Sequence, residues 1–89
     1  MTLILVICRP AEDADQAEFR RLLPAEAAAL RQLKNSGVLT AAWSPGRPGA
    51  VLMLDVPGEG EAARTVAALP LAKAGLIGTE ITPLHPMDL

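Results

Sequence analysis

The sequence predicts an α+β domain of the ferredoxin-like βαββαβ type: a four-stranded antiparallel sheet with two helices on one face, pairing into a dimeric α+β barrel. Three observations predict it. Short aliphatic runs alternate with Ala-, Glu- and Leu-rich stretches in the order β, α, β, β, α, β. A Pro- and Gly-rich hexapeptide joins the two middle runs as a hairpin turn. The strand-like runs are apolar on both faces, and since two helices cover only one, the other is expected to meet a second sheet.

Thr2 to Cys8 (TLILVIC) is aliphatic and β-branched and is closed by Arg9-Pro10, which fits a strand buried on both sides. Ala11 to Lys34 is rich in strong helix formers, and Asn35-Ser36-Gly37 supplies a stop. Pro24 lies inside this stretch and lacks a backbone donor. The expectation is that a second helical segment starts there, with Pro24 near its first position, in preference to a kinked continuous helix. Val38 to Trp43 and Ala50 to Val56 read as strands flanking the Ser44–Gly49 turn. Gly58-Glu59-Gly60 opens a helix over Glu61 to Leu69 that Pro70 limits. Leu76 to Leu84 reads as the last strand, and Pro83 near its end implies an edge position or the strand exit.

At 89 residues, with no internal repeat or linker, the chain is expected to form one domain over 1–89. Hydrophobic residues make up 51% of it, more than one small core needs, so a homodimer or higher homo-oligomer is expected. A net charge of -2 with 8 Lys plus Arg and no basic run argues against a nucleic-acid partner. Cys8 and His85 are the sole residues of their types, which excludes an internal disulfide and the usual zinc sets, so no metal is expected. Cys8, in an apolar run, reads as a buried inert thiol. The Leu3–Cys8 run is too short to span a bilayer and lacks the flanks of a signal peptide, so the expected location is cytoplasmic, without a membrane partner.

Phe19, Leu23, Glu26, Leu30 and Leu33 are spaced four, three, four and three apart, one stripe if the helix runs through Pro24. A carboxylate among apolar neighbours loses hydration, which suits it to accept and return a proton near neutral pH. The alternative is that Pro24 resets the phase and turns Glu26 to solvent in a first helical turn. Trp43 reads either as hydrophobic filling of a core or subunit contact or as a ligand wall. Arg47 in the turn is either a solvated arginine or a partner for an anionic substrate, and His85 either a tail histidine or a proton carrier. No phosphate-binding glycine loop or nucleophile motif is present, and no cofactor is expected. Proton abstraction beside a carbonyl, followed by redelivery, is chemistry that one carboxylate performs with little help.

Glu26, Gly37 eleven residues on, Trp43 six after that, the strand LMLDV at Leu52 to Val56, Leu69-Pro70-Leu71 and the closing TPLHP at Thr82 to Pro86 together resemble the muconolactone delta-isomerases. The resemblance runs from about Glu26 to Pro86. It implies a ferredoxin-like subunit in a dimeric α+β barrel, a cofactor-free pocket between sheet and helix, and a double-bond shift in an unsaturated lactone, a reaction of aromatic catabolism. Glu26 stands where the family glutamate thought to shuttle the proton stands. The chain departs from the family at Ala27, where a lysine is usual, and at Arg47-Pro48-Gly49, where aromatic or histidine residues are usual; it also has no Tyr. The expected function is therefore a cofactor-independent isomerase acting on a small-molecule lactone or related carbonyl compound, with Glu26 as shuttle and Trp43 and Arg47 binding substrate. The alternative is a non-catalytic small-molecule-binding or assembly module using the same pocket.

Overall fold

The computed structural model describes residues 2–89. Its elements run β1 (Thr2–Pro10), α1 (Gln16–Asn35), β2 (Leu39–Trp43), β3 (Ala50–Val56), α2 (Glu59–Ala67), α3 (Pro70–Lys73) and β4 (Ile77–Pro83). The strands form one antiparallel sheet in the order β2-β3-β1-β4, the ferredoxin-like arrangement. β4, the strand carrying Pro83, is an edge.

Register assigns the two faces. Ile4 lies opposite Leu54 and Pro83, Val6 opposite Leu52 and Ile81, and Cys8 opposite Ala50 and Thr79. These residues look toward the helices, where Ile4, Val6, Leu52 and Leu54 are almost wholly buried with Leu39, Ala62, Val66 and Leu69. A second cluster of Phe19, Leu71 and Leu76 ties α1 to α3 and the start of β4. The opposite face carries Leu3, Leu5 and Ile7 of β1, facing Asp55, Met53 and Val51 of β3, with Ala41 and Trp43 of β2 beyond them. It is an apolar surface that no element among the described residues covers; Leu3 is 46% and Trp43 54% exposed.

α1 begins later than expected and does not break at Pro24. Asp15 sets its start: the Oδ1 atom accepts hydrogen bonds from the N–H groups of Ala17 (2.9 Å) and Glu18 (3.2 Å). Pro24 withholds one backbone donor, an interior defect of about 3 kcal/mol. Arg20, whose carbonyl would have received that bond, and Pro24 are both exposed, so water can serve the carbonyl. Burial of Phe19 and Glu26 and packing of Leu30 and Leu33 hold the two halves in one helical phase. The second helical stretch is also divided differently. α2 starts at Glu59, and Pro70 opens a separate four-residue α3 at its first position instead of ending a helix over 61–69.

The 44–49 turn folds back on β1. Gly49 has φ +128, and a Cβ there would sit 2.6 Å from the carbonyl oxygen of Cys8, so glycine is required for the close approach. Among the described residues, no helix is long and apolar enough to cross a membrane.

Candidate functional site

α1 packs on α3 and β2, while its face toward the centre of the sheet stands off. The gap is a cavity of about 540 Å³, open on one side. Small residues keep it from filling: Cys8 on β1, Ala50 on β3, Gly49 in the turn and Ala27 on α1 line it, none able to reach across. Phe19, Leu30, Leu71 and Ile77 supply apolar wall, and Gln16, Arg20 and Leu23 stand at its exposed side. Its size and largely apolar lining suit a small organic molecule.

Among the described residues Glu26 is the one buried charged residue, at 8% exposure, and it faces this cavity. The solvent-facing alternative for Glu26 depended on a phase reset at Pro24, which does not occur. Its Oε1 accepts a hydrogen bond of 3.0 Å from the backbone N–H of Leu71. The first turn of α3 needs such an acceptor, because Leu69 at its N-cap offers no side-chain oxygen. Oε2 takes no protein donor, yet the sole sealed side-chain oxygen without a partner among the described residues is Asp55 Oδ1. The free oxygen of Glu26 is thus open to the cavity. One oxygen is held and the other is presented, the arrangement a positioned base requires.

Cys8 shares the wall. Burial, and then the negative charge of Glu26, push its thiol up from 9.0 to about 11, so it is a neutral S–H near pH 7. Because the folded value lies above the unfolded one, the contribution of Cys8 to stability is fully present below about pH 9 and is lost as pH rises toward about 11. Maleimide is expected to label Cys8 slowly in the folded protein near neutral pH and rapidly in urea. Equal rates in both conditions would contradict the buried placement.

The other residues singled out from sequence do not join Glu26 within the subunit. Trp43 lies opposite Val51 on the uncovered sheet face, away from the cavity. Arg47 is exposed in the turn whose next residues, Pro48 and Gly49, line the cavity, but its own side chain is not part of the lining. His85 is exposed beyond β4. Sequence reasoning missed Arg20, although a signal existed. Gln16, Arg20, Leu23, Ala27 and Leu30 recur at steps of four, three, four and three, a stripe beside the one containing Glu26, and all five line the cavity. Among the described residues no group of three or more His, Cys, Asp or Glu side chains comes together to hold a metal ion.

Solved structures share this architecture. A crystal structure of muconolactone isomerase superposes with a TM-score of 0.73 at 24% identity, covering 98% of this chain and 94% of that one. A 5-chloro-2-hydroxyhydroquinone dehydrochlorinase from Burkholderia phenoliruptrix AC1100, in complex with 2,5-dihydroxybenzoquinone, gives a TM-score of 0.72 at 20% identity, covering 93% of each chain. At these identities the likeness shows the fold. No curated protein matches the sequence. The family model described as muconolactone delta-isomerase matches residues 5–88. That match takes in nearly all of the chain, both the strands that build the sheet and the helix that carries Glu26, and this protein accordingly belongs to the muconolactone delta-isomerase family.

Proposed function

We propose that this protein is a cofactor-independent isomerase that moves a proton within a small unsaturated lactone or related carbonyl compound, with Glu26 as the proton shuttle. The observation that carries the reading is a buried carboxylate with one oxygen fixed by the Leu71 N–H and the other open to an apolar cavity. Membership of the family supports it, as do the names of the two structural relatives, an isomerase and a dehydrochlorinase. In this scheme Oε2 of Glu26 takes a proton from the saturated carbon beside the double bond that is conjugated with the lactone carbonyl, and the C–H electron pair moves into a dienolate. Glu26 then returns the proton to a different carbon, so the double bond shifts with no net gain or loss of atoms. The neutral thiol of Cys8 fits this chemistry, because a thiolate at the same place would add to a conjugated substrate.

The test is proton NMR of muconolactone and substituted analogues in deuterated buffer with the wild-type protein. Enzyme-accelerated double-bond migration or deuterium uptake supports the isomerase. Binding without either would favour a non-catalytic binding module. The specific observation behind that second reading is the hydrogen bond from Leu71, which also gives Glu26 a structural role as the cap of α3.

The reading includes a single domain over 1–89 acting as a homodimer or larger homo-oligomer, its uncovered sheet faces packed together as a dimeric α+β barrel. The apolar set Leu3, Leu5, Ile7, Val51 and Met53 supports it. Trp43 on that face would then serve the subunit contact, and Arg47 would add positive charge beside the cavity mouth. Met53→Lys is expected to convert the assembly to monomers at micromolar concentration in sedimentation velocity. A wild-type chain already monomeric under those conditions would overturn the pairing.

A further inference from the structure

We propose that Arg20 is the anion anchor of the cavity and sets its specificity for ligands carrying a carboxylate or similar group. The inference deepens the isomerase reading and rests on it for the identity of the cavity as the substrate site. Among the described residues Arg20 is the only cation in the lining. The ion pairs among the described residues engage Arg9 with Glu80, Arg21 with Glu18 and Arg64 with Glu61, and none of them uses Arg20. Its guanidinium is therefore free of a protein carboxylate, although its neighbour Arg21 is tied down. Arg47 does not line the cavity.

The helix sets the spacing. Arg20 and Glu26 are six residues apart on α1, about 9 Å along its axis, and side chains on a helix lean toward its N-terminus. Glu26 lies on the inner side and Arg20 at the exposed side, with Leu23 between them on the cavity wall. A ligand bridging the two presents its unsaturated ring to Glu26 and its anion outward to Arg20, which keeps one face of its guanidinium in water. The burial of a charged group deep in an apolar cavity is thereby avoided, and the ring enters in one orientation. The flexible stem of Arg20 spans the gap, so the class selected is a small unsaturated ring with an anion within roughly 10 Å of the reacting carbon.

The experiment measures binding and needs no turnover. Ligand-observed NMR titrations compare a carboxymethyl-substituted unsaturated five-membered lactone with its methyl ester, using wild type, Arg20→Gln, Arg20→Lys and Arg31→Gln; Arg31 is exposed on the same helix outside the cavity. The wild type is expected to prefer the acid by about tenfold, a preference that falls with added salt because the arginine is exposed. Arg20→Gln should abolish that preference, Arg20→Lys retain part of it, and Arg31→Gln keep it. An acid preference that survives in Arg20→Gln, or that is lost equally in Arg31→Gln, would overturn the assignment, as would its absence in the wild type. Acid preference through Arg20 with no isomerisation of the bound acid would sustain the anchor and remove the isomerase reading, so the two fail separately.

Discussion

Glu26→Gln is expected to lower the isomerisation rate by roughly 100- to 10,000-fold, the usual weight of a positioned general base, with little change in melting temperature. The amide keeps a carbonyl oxygen where Oε1 accepts from Leu71, so α3 retains its cap while the group that takes the proton is gone. Glu26→Leu separates the two roles. It removes the acceptor as well, leaving the Leu71 N–H unsatisfied at about 1–3 kcal/mol, so it should lose both activity and stability. Steady-state kinetics alongside thermal melts read the pair. A Gln variant as active as wild type would remove Glu26 from the mechanism, and a Leu variant as stable as wild type would remove its role as the cap of α3.

The largest expected loss of stability comes from Leu54→Ala. Leu54 is completely buried in β3, opposite Ile4 on one side and Leu39 on the other, at the centre of the main cluster. Truncating a leucine there costs about 2–5 kcal/mol in lost burial and residual cavity. Small domains have only about 5–15 kcal/mol in hand, and each kcal/mol moves the midpoint by about 4–8 °C, so a fall of at least about 8 °C is expected. Thermal melts at one fixed protein concentration keep any subunit association from confounding the comparison. Met87→Ala, at a position 78% exposed, is the reference and should stay within about 0.5 kcal/mol of wild type. Equal midpoints for the two variants would place the core elsewhere.

Much of the fold is local in origin, and that part was readable. The bounds of β3 coincide with the Ala50–Val56 run, and the turn before it follows from its prolines and glycines. The bounds that shifted depend on side chains reaching backbone groups. Asp15 fixes the start of α1 through two hydrogen bonds, and no apolar pattern reveals such a cap. Pro70, in sequence a stop signal, is the first residue of α3, because proline suits a first helical turn as well as it ends the preceding one. Pro24 signals a break in sequence because its intrinsic cost is real. Burial along the rest of a 20-residue helix outweighs it.

The sequence by itself determined the order of the elements and an apolar pattern on both sides of β1 and β3, since these follow from repeats of two or of 3.6 residues along the chain, whereas the side on which Glu26 lies turned on whether the helix runs through Pro24. Only the tertiary structure decided that α1 stands off the sheet over small residues and leaves a cavity, that the backbone of Leu71 meets Glu26 from 45 positions away, and that the cavity's cation is Arg20 while Trp43 lies on the other face. Those are distances between elements, and they depend on how side-chain volumes add across a packed interface, a sum that periodicity within one element does not contain.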